Sequence, residues 1–122
     1  MSHEITWREN GIYRKFSNIV HPEEILQSNF ATHEDPRFLE VDYIINDFID
    51  IEKIAMDPEH SRIFASTDDM VANNREKKMK IAIVIQREYQ PLAEAYRQSL
   101  STHVFICKIF NAINDAEEWV TE

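Results

Sequence analysis

The run Ile81-Ala82-Ile83-Val84-Ile85 constrains this chain more than any other segment. Successive side chains of a strand point to opposite faces, so an unbroken apolar run has to be covered on both. That predicts a central strand in a parallel sheet with helices above and below it, an α/β fold.

The flanking sequence agrees. Glu4–Arg8 alternates Ile5 and Trp7 with polar neighbours, the period of a half-buried strand. Asn10-Gly11 then predicts a hairpin turn with positive φ at both residues. A second strand follows from Ile12 to about Ile19, its pattern mixed with Arg14 and Lys15 inside it, so one wet face is expected. Pro22, with Glu23 and Glu24 behind it, opens a helix expected to end near Thr32, with His21 as its cap. Val41–Ile49 is a strand by its β-branched and aromatic content. Asp57-Pro58 starts a second helix, with His60 completing its first turn and Ile63, Thr67, Met70 and Val71 at helical spacing. That helix is expected to end at a left-handed Asn73 or Asn74, and Ile51 and Ile54 to form an extra turn before it. Pro91 opens a third helix with Leu92, Ala95, Tyr96 and Leu100 inward. Val104–Phe110 is the last strand. A fourth helix follows, capped by Asn114 with Glu117 closing a capping box. The order is ββαβαβαβα: one domain over residues 1–122, with a single-layer, mostly parallel five-stranded sheet, an N-terminal antiparallel hairpin and helices on both faces.

Several functions are excluded at this level. Gly11 is the only glycine, so the Walker loop, the dinucleotide fingerprint and the nucleophile elbow cannot be built. No cofactor is expected. With 22 acidic against 13 basic residues the net charge is -9, which speaks against nucleic acid. Arg75, Lys77, Lys78 and Lys80 form the one basic run, allowing at most peripheral contact with an anionic membrane and read as a solvated turn. Met1-Ser2-His3-Glu4 lacks the basic-then-apolar pattern of a secretory signal, and a lone cysteine fits a reducing compartment, so a cytoplasmic location is expected. The histidines are scattered, with no metal-ligand spacing. Cys107, between Phe105 and Ile109 in the last strand, reads as an inert buried thiol.

Open α/β sheets bind ligands outside the carboxyl ends of their strands. Asn46, Asp47 and Asp50 follow the third strand there, Gln86, Arg87 and Glu88 the fourth, and Asn111 the fifth. Arg87 is the candidate anchor for an anionic group, with Asp47 or Asp50 as its resting partner. Phe30 and Phe38 flank a loop that a small apolar ligand would need to lift, and the same aromatics also suit a filled core.

Four stretches carry a family resemblance: Gly11-Ile12-Tyr13-Arg14-Lys15-Phe16, Asp35-Pro36-Arg37-Phe38, Tyr43-Ile44-Ile45-Asn46-Asp47-Phe48 and Met79-Lys80-Ile81-Ala82-Ile83-Val84. Over nearly its whole length the chain resembles the STAS-like domains of sulfate transporters and anti-sigma factor antagonists, and more closely their small stand-alone SpoIIAA-like bacterial relatives. The resemblance implies a non-enzymatic binding domain: a protein-interaction or regulatory module, pairing with itself or another protein, or else a carrier of a small apolar or amphipathic ligand. An enzyme using Asp47 or Asp50 is the third choice. Antagonists of this type carry Asp-Ser-Ser-Gly after the third strand, the second serine being the phosphorylation switch. Here Asp50 matches the aspartate, Ile51 and Glu52 replace the serines and Lys53 the glycine. Glu52 stands at the switch position, as a fixed negative charge or as a solvated helix-start carboxylate.

Overall fold

The computed structural model describes residues 3–122. Met1 and Ser2, the start of the N-terminal segment read above, lie outside the described residues. Strands β1 (His3–Trp7) and β2 (Gly11–Phe16) form the antiparallel hairpin. β2, β4 (Tyr43–Asp47), β6 (Met79–Val84) and β7 (Phe105–Phe110) then pair in parallel, giving the order β1-β2-β4-β6-β7. Two elements were not anticipated. β3 (Ile19–Val20) and β5 (Lys53–Ile54) form a separate two-stranded ribbon. The second strand thus ends at Phe16, the chain turns through Asn18 at φ 58, and Ile51–Ile54 forms no extra helical turn.

The strand order never reverses. Right-handed crossovers that always step the same way place their helices on one side. Accordingly α1 (Pro22–Glu34), α2 (Pro58–Ala72) and α3 (Gln90–Ser99) cover the face that carries Ile12, Ile44 and Ile81. α4 (Ile113–Val120) covers the other, packing Ala116 and Val120 on Tyr43, Ile45, Ala82 and Val84. Helices therefore lie on both faces, and Ile81–Ile85 is buried throughout.

The helix starts read from sequence are partly corrected. Asp57 caps α2 by accepting from the Glu59 and His60 amides at 2.9 and 3.4 Å, and His60 Nδ1 accepts from the Asp57 N–H in return. His21 does precede α1, without a side-chain capping bond. The cap of α4 is Ala112, not Asn114, and Glu117 instead pairs with Arg8 at 2.7 Å. Asn73 follows α2 at φ -63, so that helix does not end in a left-handed residue. α3 buries Ala93 rather than Ala95.

Only part of the basic run is a solvated turn: Lys77 and Lys78 are exposed, whereas Arg75 and Lys80 are not. Arg75 is buried and donates to the carbonyls of Phe38 and Val41, and Lys80 donates to that of Trp119 at 2.9 Å.

Gly11 has a different reason to be glycine than the one its sequence context suggests. Neither Asn10 nor Gly11 adopts positive φ, and the turn closes by the Arg8 amide donating to the Gly11 carbonyl at 2.7 Å. Gly11 instead lies in register with Tyr43, whose ring occupies the space a Cβ would take: the nearest ring atom would be 2.2 Å away. Gly11→Ala is therefore expected to cost about 2 kcal/mol by overpacking, read from the denaturant midpoint. In a Tyr43→Ala background the same change should cost almost nothing; an undiminished cost there would refute the steric reading.

Candidate functional site

The parallel register lines up side chains in rows across the sheet face beneath α1–α3. One row is Arg14, Asn46 and Ile83. The next, toward the carboxyl ends of the strands, holds Phe16, with its ring stacked 4.4 Å from that of Phe48, and Ile85. A cavity of about 70 Å³ lies between these rows and the helices. Its inner end is polar, with Arg14, Asn46 and Asn29. Toward the strand ends its walls are Phe48, Ile54, Met56, Ile85 and Leu92.

Arg14 was expected on a wet face, but it is 5% exposed. Its Nε donates to Asn46 Oδ1 at 2.7 Å, and its Nη1 to Ser28 Oγ and Asn29 Oδ1 at 3.0 and 2.8 Å. Among the described residues no carboxylate pairs with it. Burial pulls its pKa down to about 10, partly offset by the charge of Asp68.

Asp68 projects from α2 into the same cavity. Its Oδ2 accepts from the Tyr96 hydroxyl of α3, while its Oδ1 is buried and, among the described residues, has no hydrogen-bond partner. His33 Nε2 stands 3.7 Å from Oδ1, too far for a hydrogen bond. Burial raises the Asp68 pKa to about 6. His33 falls to about 4, through burial first and the charge of Arg14 second, so it is neutral. Ser61 Oγ also lines the cavity, is buried and has no partner among the described residues. It lies two helical turns from Asp68, about 10 Å along the axis.

Of the residues proposed from sequence, Asn46 alone lines this cavity. Asp47 is buried on the opposite face, accepting from the Tyr13 hydroxyl and, at 3.0 Å, from the Ile49 amide. Asp50 is exposed and pairs with Lys15 at 2.9 Å. Arg87 is exposed in a one-turn helix and partners neither aspartate. Gln86 and Asn111 donate to the carbonyls of Ile49 and Ile85 at 2.8 and 3.0 Å, holding the strand ends together. The physical reason the strand-end prediction fails to gather is topological. Ligand crevices in open sheets form where the strand order reverses, and this order does not.

Phe30 and Phe38 do not flank a loose loop either. α1 runs on to Glu34 and a short helix over Pro36–Leu39 follows at once. Phe30 is 69% exposed, so it belongs to no core, whereas Phe38 is buried against Arg75. Cys107 fits the inert reading, its thiol pushed up to about 12 by burial. Among the described residues there is no cluster of three or more metal-ligating side chains, and no helix is long and apolar enough to cross a membrane.

The sequence did contain a signal for this site. Ile25, Ser28, Asn29 and Thr32 are spaced as one helix face, as are Ser61, Phe64, Ala65 and Asp68, and these are the buried faces of α1 and α2.

No protein-family profile and no curated protein matches the sequence. Among solved structures, the chain is similar to an uncharacterised protein of the DUF3478 family with a SpoIIAA-like fold from Shewanella loihica. The TM-score is 0.58 at 15% identity, over 97% of this chain and 91% of that one. The chain folds as a STAS-like domain. Glu52, matched from sequence to the switch position, is exposed and lies one residue before β5, its amide donating to the Asn18 carbonyl at 2.8 Å. The following helix begins only at Pro58, so Glu52 is not a helix-start carboxylate as expected.

Proposed function

We propose that this STAS-like domain is a non-catalytic, cytoplasmic binding module, and that its working site is the cavity under α1–α3, which takes up a small amphipathic molecule. The observation that carries this reading is a buried acceptor, Asp68 Oδ1, left without a partner among the described residues in a cavity that is polar at one end and walled by apolar side chains at the other. Buried polar atoms are nearly always hydrogen-bonded, and leaving one open costs about 1–3 kcal/mol, which a bound molecule would recover. The lone thiol, far from ionised, offers no nucleophile to the site.

The test is a methyl NMR titration with hexane and hexanol. Signals of Ile54, Ile83, Ile85 and Leu92 are expected to shift and saturate. Leu92→Trp, which fills the cavity, should abolish the response while the fold persists. Unmoved methyl signals, together with a native mass equal to the bare chain in protein purified without detergent, would overturn the reading.

A second reading, a protein-interaction module, rests on Leu26, Phe30, Ile63 and Met70, which are 52–69% exposed on the outer faces of α1 and α2. In the same native mass spectrum it would appear as a dimer of the chain.

A further inference from the structure

We infer that the polar end of the cavity selects an uncharged hydroxyl, so that the ligand class is a neutral alcohol-type amphiphile rather than a carboxylate, an amine or a plain hydrocarbon. This rests on the reading of the cavity as a ligand site and adds the chemistry of the head group.

The argument is one of charge and hydrogen-bond balance. Arg14 and Asp68 both line the inner end, at 5% and 9% exposure. They do not form an ion pair, yet one cation and one anion already face the same cavity. A carboxylate added there would stand beside the Asp68 carboxylate, and an ammonium beside the Arg14 guanidinium. Either leaves a net charge out of water, which is far costlier than burying a bonded neutral group. A hydrocarbon adds no charge but leaves Asp68 Oδ1 open.

Among the described residues, Arg14 commits Nε to Asn46 and Nη1 to Ser28 and Asn29, all neutral oxygens, and its Nη2 is left to an acceptor such as a hydroxyl oxygen. What the site lacks is a donor to Oδ1. Tyr96 is committed to Oδ2, and His33 is out of reach at 3.7 Å. A hydroxyl supplies that donor without charge. Its alkyl body then lies toward Phe48, Ile54, Ile85 and Leu92, with the end of a six-carbon chain leaving through the open side, since the cavity itself holds only about 70 Å³. Sites built around an O–H bond discriminate strongly against analogues that lack the group, because the protein atom is then left unpaired.

The experiment titrates the whole protein at neutral pH with hexanol, pentyl methyl ether, hexanoate, hexylammonium and hexane, following the same methyl signals. Pentyl methyl ether has the same atoms as hexanol and no O–H donor. Hexanol is expected to bind about tenfold more tightly than the ether, the hexanoate or the hexylammonium. Asp68→Leu should weaken hexanol about tenfold and leave hexane within about twofold. Should that variant fail to fold, the hexanol–ether comparison on the unaltered protein still decides. Equal affinity for alcohol and ether, or hexanoate binding as tightly as hexanol, overturns the head-group inference and leaves the cavity reading standing. Absence of binding by all five compounds overturns both.

Discussion

Arg14→Ala is expected to remove about 4 kcal/mol of stability and lower Tm by roughly 15 °C. The guanidinium joins β2 to β4 through Asn46 and to α1 through Ser28 and Asn29. Each bond to a charged group is worth more than a neutral one, and truncation strands three buried acceptors around a new void. Arg14→Lys should recover only part of the loss, because an ammonium is a point charge without the planar fork that reaches three partners. Denaturant unfolding measures both. A loss under about 1 kcal/mol for Arg14→Ala would mean the network contributes little to holding α1 on the sheet.

The second large effect is a hidden pH dependence. Asp68 has its pKa raised from 3.8 to about 6 in the folded protein. The folded state therefore holds that proton more tightly, and the protein gains stability as pH falls through this window. His33 has its pKa lowered from 6.5 to about 4, so the folded state resists that proton and stability is lost as pH falls through nearly the same window. Each shift corresponds to at most about 3 kcal/mol, with opposite sign. The two cancel in the unaltered protein. Relative to it, Asp68→Asn should lose about 2 kcal/mol between pH 7 and pH 4.5, and His33→Gln should gain about as much. Unfolding free energies of the three proteins across that range provide the check; parallel curves would contradict the assignment.

What could be read from sequence divides by mechanism. Ile81–Ile85 announced the central strand because hydrophobic burial is written directly in residue type. So was the Asp57-Pro58 helix start, where the cap chemistry is local. Gly11 was placed correctly in a hairpin for a reason that does not operate there, since a glycine needed for space looks identical to one needed for φ. Arg14 was placed in water because alternation along β2 counts charge as exposed. Nothing within that strand reveals that α1 brings Ser28 and Asn29 to meet it. The same bias picked out Ile63 and Met70 for their helical spacing in α2, and these face outward at 55% and 68% exposure. The face actually buried carries Ser61 and Asp68, because its counterpart is partly polar. The strand-end site followed a rule that presumes a reversal of strand order, a property of topology and not of any one segment.

The unreversed strand order also bears on how the molecule is made. Each parallel strand docks beside the one that left the ribosome just before it, so no strand has to wait for a partner still unsynthesised. Pairing stays between neighbours in the chain, which favours rapid assembly and shortens the time that an open edge is available to other molecules. The exception is the face covered by α4. Tyr43, Ile45, Ala82 and Val84 stay wet until residues 113–120 emerge, so that face closes only after the sheet itself is complete.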